Sequence, residues 1–170
     1  AGAGKGVVAR LIHAHSNRTA GPFISLNCAT MQPGDFEINL FGHEATTSRG
    51  PREIGTFEQA HMGTLFLDEV ADMPIETQGK IVRALQEQTF QRVGGATRIE
   101  VDVRVIASSS KDLGIEMNEG RLREDLFYRL SVVPIAVPPL KDCREDISTL
   151  ITHYMRQLAI NNGQNPRVLS

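Results

Sequence analysis

Cysteine is scarce in this 170-residue chain, with Cys28 and Cys143 the only two. That excludes a disulfide framework as the main source of stability. With no secretory leader in view, both thiols are expected to be reduced, in a cytoplasmic protein. Long apolar runs are also missing, and none approaches the length needed to cross a bilayer, so no membrane partner is expected. Neither sign of charge dominates. Lys plus Arg number 18 and Asp plus Glu number 20, a formal net charge of -2. A nucleic-acid-binding face covering the whole domain is not expected from that balance, although local basic clusters remain open. Internal repeats and low-complexity segments are absent. The histidines make no metal site: His13 and His15 stand two apart in a helical stretch and face different ways, and neither cysteine has a CxxC partner.

What is present is ordinary for a globular protein: 41% hydrophobic and 22% charged residues, in a length sufficient for one domain with a real core. Gly2 to Gly6 form a glycine-rich loop, and Val7, Val8, Leu11 and Ile12 recur at helical spacing up to about His15. Phe23 to Asn27 read as a strand. Phe41 to Thr56, rich in glycine, proline, threonine, serine and arginine, read as a loop. Gly63 to Glu69 (GTLFLDE) is a nearly continuous apolar strand ending in two carboxylates, as expected for a parallel sheet covered on both faces. Pro74 suits the first turn of a helix with an apolar stripe at Ile81, Val82 and Leu85. Phe90–Val93 and Thr97–Val101 flank Gly94-Gly95, a hairpin signal. Val103–Ala107 is a further strand. Arg121–Leu130 reads as helix, and Val132–Val137 as the last strand, ended by Pro138-Pro139. From Arg144 onward Ile147, Leu150, Ile151, Tyr154, Met155 and Leu158 predict an amphipathic helix. Alternating strands and helices indicate an α/β fold, with the domain at 1–140 and the beginning of a helical subdomain at 141–170.

Two segments carry chemistry. Ala1 to Gly6 (AGAGKG) has the form of the end of a Walker A loop. Gly2, Gly4 and Gly6 would let backbone N–H groups turn toward phosphate oxygens, and Lys5 would neutralise the β- and γ-phosphates. The pattern's first glycine would precede Ala1, and the usual hydroxyl residue after the lysine is Gly6. The bland alternative is a glycine linker before a helix. Asp68 and Glu69 have the form of a Walker B pair. Asp68 would hold Mg²⁺ through water and Glu69 would polarise the attacking water. The alternative is a strand ending in solvated acids, which loses weight because adjacent acids at a strand end call for a cation or a partner.

The blocks FISLNCA, LFGHE, GTFEQAHMGTLFLDEVADMP, DVRVIASSSKDL, GRLREDLFYRLSVVPI and VPPLKDCREDI run in order over nearly the whole chain. Together they resemble the central AAA+ domain of bacterial enhancer-binding activators of sigma-54 RNA polymerase. The resemblance implies a P-loop NTPase that takes ATP and Mg²⁺. It also implies that the chain is a fragment: a core strand preceding Ala1 would lie between Val103–Ala107 and Val132–Val137, and 141–170 would begin a helical lid. Asn27 matches a switch asparagine that pairs with the Walker B glutamate; its other reading is a turn former after a strand. Ser109 and Ser110 stand at the sensor I position, where the family usually has Thr-Asn. Arg123 and Arg129 match arginine fingers that reach a neighbouring subunit's ATP, which implies a ring, typically a hexamer. Their other reading is a solvated helix face paired with Glu124 or Asp125.

The largest departure follows LFGHE. The family carries a GAFTGA loop there, which presents an aromatic to sigma-54, whereas Ala45 to Gly55 reads ATTSRGPREIG. Some response regulators of the NtrX type share that lack. The expected function is therefore ATP hydrolysis in a sigma-54-interacting regulator of a two-component system, with DNA contacted by a domain outside this chain. The other reading is an ATP-gated oligomerisation module that leaves sigma-54 alone.

Overall fold

The computed structural model describes residues 3–45 and 50–162. Two compact units separate by their contacts: Gly6–Pro134, and Ala1–Lys5 with Ile135–Ser170.

The larger unit is built on three parallel strands, β1 (Phe23–Asn27), β4 (Thr64–Asp68) and β7 (Arg104–Ala107), in the order β1-β4-β7. Two short antiparallel pairs stand apart from that sheet. One is β2 (Gly42–His43) with β3 (Glu53–Ile54); the other is β5 (Thr89–Gln91) with β6 (Arg98–Glu100). The helices are α1 (Lys5–Ala14), α2 (Pro33–Phe41), α3 (Thr56–Gln59), α4 (Ile75–Glu87), α5 (Leu113–Asn118) and α6 (Glu124–Leu130). Helix α7 (Asp146–Asn161) belongs to the smaller unit.

The centre of the sheet goes to β4 because it is the strand with apolar residues on both faces. Thr64, Leu65, Phe66 and Leu67 are all buried, the pattern of a strand covered on both sides. Register places Asn27 opposite Asp68 on one side, and Leu67 opposite Ala107 on the other. Asp68 therefore emerges at the carboxyl end of the sheet, the end where open α/β sheets bind ligands.

The amphipathic helix α4 buries Ile81, Val82, Ala84 and Leu85 on one face, where they join Phe36, Leu40, Phe57 and Leu126 in the core. Truncating a fully buried residue such as Ile81 would cost about 2–5 kcal/mol. Phe41, Phe57 and Phe90 form a triangle of rings with centroids 5.5–6.0 Å apart. It packs the chain on either side of the β2–β3 turn against the β5–β6 hairpin. The hairpin predicted at Gly94-Gly95 is present, with Gly94 in the left-handed region at φ 77.

One predicted strand is absent. Val132–Val137 forms no ladder among the described residues, and Val132, Val133 and Ile135 are 74%, 75% and 58% exposed. A strand needs a neighbour to pair with, and among the described residues β7 bonds only to β4. Pro134 also removes a donor from the middle of the run. Helices α2 and α5 escaped the sequence reading. The first starts at Pro33, and the second is capped by Asp112, whose Oδ1 accepts from the N–H groups of Gly114 and Ile115 at 2.8 and 3.1 Å. Helix α7 lies where the periodicity placed it. Within its unit it buries only Ala159, leaving Tyr154 and Leu158 exposed. Among the described residues no helix is long and apolar enough to cross a membrane.

Candidate functional site at the carboxyl end of the sheet

Strand β4 ends at Asp68, and the backbone then turns sharply. Glu69 sits in the left-handed region at φ 55, ψ 52, an uncommon conformation for a residue with a side chain. Such strain costs on the order of 1–3 kcal/mol and persists only where the surroundings impose it. Here the loop after β7 does so. Val70 N–H donates to the Ser108 carbonyl at 2.8 Å, and Glu69 N–H to the Ser108 hydroxyl oxygen at 3.3 Å. The same hydroxyl donates to Asp68 Oδ1 in a short hydrogen bond. Ser110 holds the glutamate from the same side. Its backbone N–H and its hydroxyl both donate to Glu69 Oε2, at 2.7 and 2.8 Å. Lys111 Nζ reaches Asp72 Oδ1 at 2.6 Å, closing the turn that follows. Two carboxylates thus project from the end of a buried strand, each with a hydroxyl donor.

The acids make their neighbourhood negative, as Cys28 records. Burial pushes its thiol up to about 12, and Asp68, Asp72 and Glu69 add to the effect. Cys28 is therefore an inert core thiol rather than a nucleophile.

The sequence-predicted residues fall into place unevenly. Asp68, Glu69 and Ser110 converge. Ser109 turns away: its hydroxyl donates to the Lys111 carbonyl and accepts from the Lys111 N–H, shaping the loop. Asn27 is not paired with Glu69. Its Oδ1 accepts from Ala29 N–H at 2.9 Å, capping the short turn after β1. The reason is topological: β1 and β7 flank β4 on opposite sides, and the left-handed turn takes Glu69 to the β7 side. Ser108 was missed. The triple serine drew attention to its second and third members, and only the Leu67–Ala107 register reveals that the first lies next to Asp68. Gly4 has φ 73 and Lys5 opens α1, while Gly2 lies outside the described residues. Gly6 is the second residue of that helix.

Both arginines have partners within this chain. The Arg123 guanidinium grips Asp125 through Nε at 3.0 Å and Nη2 at 2.8 Å. That contact draws the Asp125 carboxyl below the usual range and raises the guanidinium. Glu124, the other sequence candidate, is not used. Arg129 Nη2 donates to the Leu85 carbonyl at 2.8 Å. There a cation meets the negative end of α4.

The departing loop has a rigid base. Gly42 and Gly55 cross so closely that a Cβ on Gly42 would stand 2.3 Å from the Glu53 carbonyl oxygen, and one on Gly55 2.3 Å from the Gly42 nitrogen. Only glycine fits at either position. Beside them the buried Arg92 binds Glu44 at 2.6 Å and Glu58 at 2.7 Å, joining both stems of the loop. Residues 46–49 lie outside the described residues.

The profile of the Sigma-54 interaction domain family matches residues 1–136. The chain belongs to that family. Its fold is that of the AAA+ P-loop NTPases, a parallel sheet with flanking helices. Relatives of this Sigma-54 interaction domain include the regulatory protein AtoC of Escherichia coli K12, 46% identical over 96% of this chain and 36% of its own length. The nitrogen assimilation regulatory protein NtrX of Azorhizobium caulinodans is 49% identical over 98% of this chain and 36% of its own. Among solved structures, NtrX from Brucella abortus in complex with ATP superposes with a TM-score of 0.88. It is 51% identical over 100% of this chain and 37% of that one. The chain thus spans about a third of the length of these relatives.

Proposed function

We propose that this chain binds and hydrolyses ATP within a sigma-54-interacting transcription regulator of the two-component type. The observation that carries the reading is the pair Asp68 and Glu69, held at the end of the central parallel strand by Ser108 and Ser110. The B. abortus NtrX structures with ATP and with ADP support a nucleotide as the ligand.

Each group has a role in that reading. Gly2, Gly4 and Gly6 offer backbone N–H groups to phosphate oxygens at the start of α1, and Lys5 balances the β- and γ-phosphate charge. Asp68 holds Mg²⁺ through water. The donor set fits that ion, since Asp68 and Glu69 place hard carboxylate oxygens at the end of β4. Magnesium ordinarily takes one or two carboxylates, with waters and phosphate oxygens completing its shell. Such an ion would supply positive charge against the phosphates. Glu69 orients the attacking water, and the two donors from Ser110 hold its carboxylate in place. Ser109 shapes the sensor loop and Asn27 caps the turn beside it. Arg123 and Arg129, leaving their partners in this chain, stabilise the phosphoryl charge in a neighbouring subunit of a ring, typically a hexamer. DNA is contacted by a domain outside this chain, and the protein works in the cytoplasm.

A specific observation favours a second reading. Ala45–Gly55 carries no Phe-Thr pair, and aromatic anchors of that kind supply much of an interface's binding energy. On this reading the chain is an ATP-gated oligomerisation module that does not remodel sigma-54. Measuring ATP turnover and sigma-54 capture by the intact protein, with a transition-state mimic bound, separates the two. The first reading expects turnover with sigma-54 retained. The second expects sigma-54 binding only after a GAFTGA segment replaces Ala45–Gly55. Absence of any ATP-dependent behaviour overturns both.

A further inference from the structure

Gln78, on α4, has no exposure at all. A primary amide with no access to water must find its hydrogen bonds inside the protein. Its Nε2 donates to the Met73 carbonyl and to the Arg121 carbonyl, each at 2.9 Å, and its Oε1 accepts from Arg123 N–H at 2.8 Å. The orientation of the amide is unambiguous, since two carbonyls can face only the NH₂ group and an N–H can face only the oxygen.

These three bonds reach two segments with separate duties. Met73 closes the short turn that begins at Glu69. Arg121 and Arg123 belong to the backbone that enters α6, where Arg123 is the N-cap residue. The neighbouring residue adds a second constraint. The Arg123 guanidinium lies over α4 at Gly79, where a Cβ would be 3.6 Å from its Cζ. Consecutive residues of one helix thus set both the root of Arg123 and the surface on which its tip rests.

We propose that Gln78 is a positioning residue that fixes Arg123 relative to the turn carrying Glu69. It thereby ties a subunit's own hydrolytic turn to the arginine it offers its neighbour. This rests on the reading of Arg123 as a residue acting in trans.

The test uses mixed rings of the intact protein. Subunits bearing Glu69→Gln supply only the arginine, and subunits bearing Arg123→Ala supply only the site. Turnover should appear on mixing. Adding Gln78→Met to the arginine donor removes all three bonds at nearly constant volume, and should cut the rescued turnover at least tenfold. Adding it to the Arg123→Ala partner should leave nucleotide affinity within threefold. Equal rescue with and without Gln78→Met in the donor overturns the proposal while leaving Arg123 in its role. Loss of nucleotide affinity in step with loss of rescue overturns it in favour of a plain folding role. No rescue by the otherwise intact pair, in rings confirmed to be mixed, sinks the trans reading of Arg123 and this proposal with it.

Gln78→Glu provides a check that does not depend on tolerance of methionine. Protonated, that carboxyl accepts from Arg123 N–H and donates to one carbonyl. Ionised, it repels both carbonyls. Donor activity of Gln78→Glu should recover as pH falls, against a parent profile that does not. Parallel profiles would overturn the proposal.

Discussion

The acids at the end of β4 and the arginines of α6 are held in opposite ways. Asp68 and Glu69 are gripped by the loop of an adjacent strand, through hydroxyl and backbone donors and a left-handed backbone turn. The backbone of Arg123 is fixed by Gln78, but its guanidinium is ion-paired only to one exposed carboxylate, two residues along its own segment, among the described residues. The difference suits the two duties proposed for these groups. A group that orients water must not move, whereas a group that serves another subunit must be free to leave its resting partner. Exposed ion pairs contribute little, so releasing Arg123 from Asp125 costs little. Arg129 is intermediate, a cation on a helix end that also packs α6 against α4.

The largest expected effect sharpens the arginine side of that contrast. Arg123→Ala should lower ATP turnover of the intact protein by about 10³ while leaving its melting temperature unchanged. A large fall in melting temperature would show that the residue is structural after all. Next in size, Glu69→Gln should reduce turnover by about 10²–10³ with ATP affinity largely preserved. Turnover within about threefold of the parent, under 1 kcal/mol of barrier, would remove Glu69 from its role. A smaller effect is expected at Ser110→Ala. It deletes the hydroxyl donor but spares the backbone N–H, so turnover should drop roughly tenfold, in line with about 1.5 kcal/mol for a hydrogen bond to a charged group. The smallest is the stability effect of Arg129→Ala. Turnover should fall, as the finger role requires, and in addition the lost bond to the Leu85 carbonyl should cost about 1–2 kcal/mol of stability in chemical denaturation, a cost that Arg123→Ala does not carry. Unchanged stability would make the two arginines equivalent, and the contrast would fail.

The acidic half of the site was legible in the sequence because it is local. An apolar run ending in two acids names its own position on a strand, and β4 appears there. Ser108 and Gln78 were not legible, since their importance depends on strand register and on a contact across 45 residues of sequence between Gln78 and Arg123. The family blocks located Arg123 and Arg129, and helical spacing already offered Asp125 as a partner, which Arg123 takes; the Leu85 carbonyl as the partner of Arg129 was not legible, because it lies on another helix. Val132–Val137 marks the limit of composition as a guide. Its residues are as apolar as those of β4, yet β4 has a strand on each side and Val132–Val137 has none among the described residues. Asn27 was located by the family blocks, but its cap on Ala29 N–H depends on the short turn after β1 and was not legible in them.

The crossing of Gly42 and Gly55, with Arg92 beside it, has a consequence for change over time. Main-chain contact and a buried ion cluster close the neck of the loop on the core side. Whatever lies beyond that neck can be lengthened, shortened or rewritten without disturbing the sheet below. If the proposed function holds, the segment from Ala45 is free to be exchanged on a fixed mount, and a lineage could trade one client for another there while the acids at the end of β4 stay as they are.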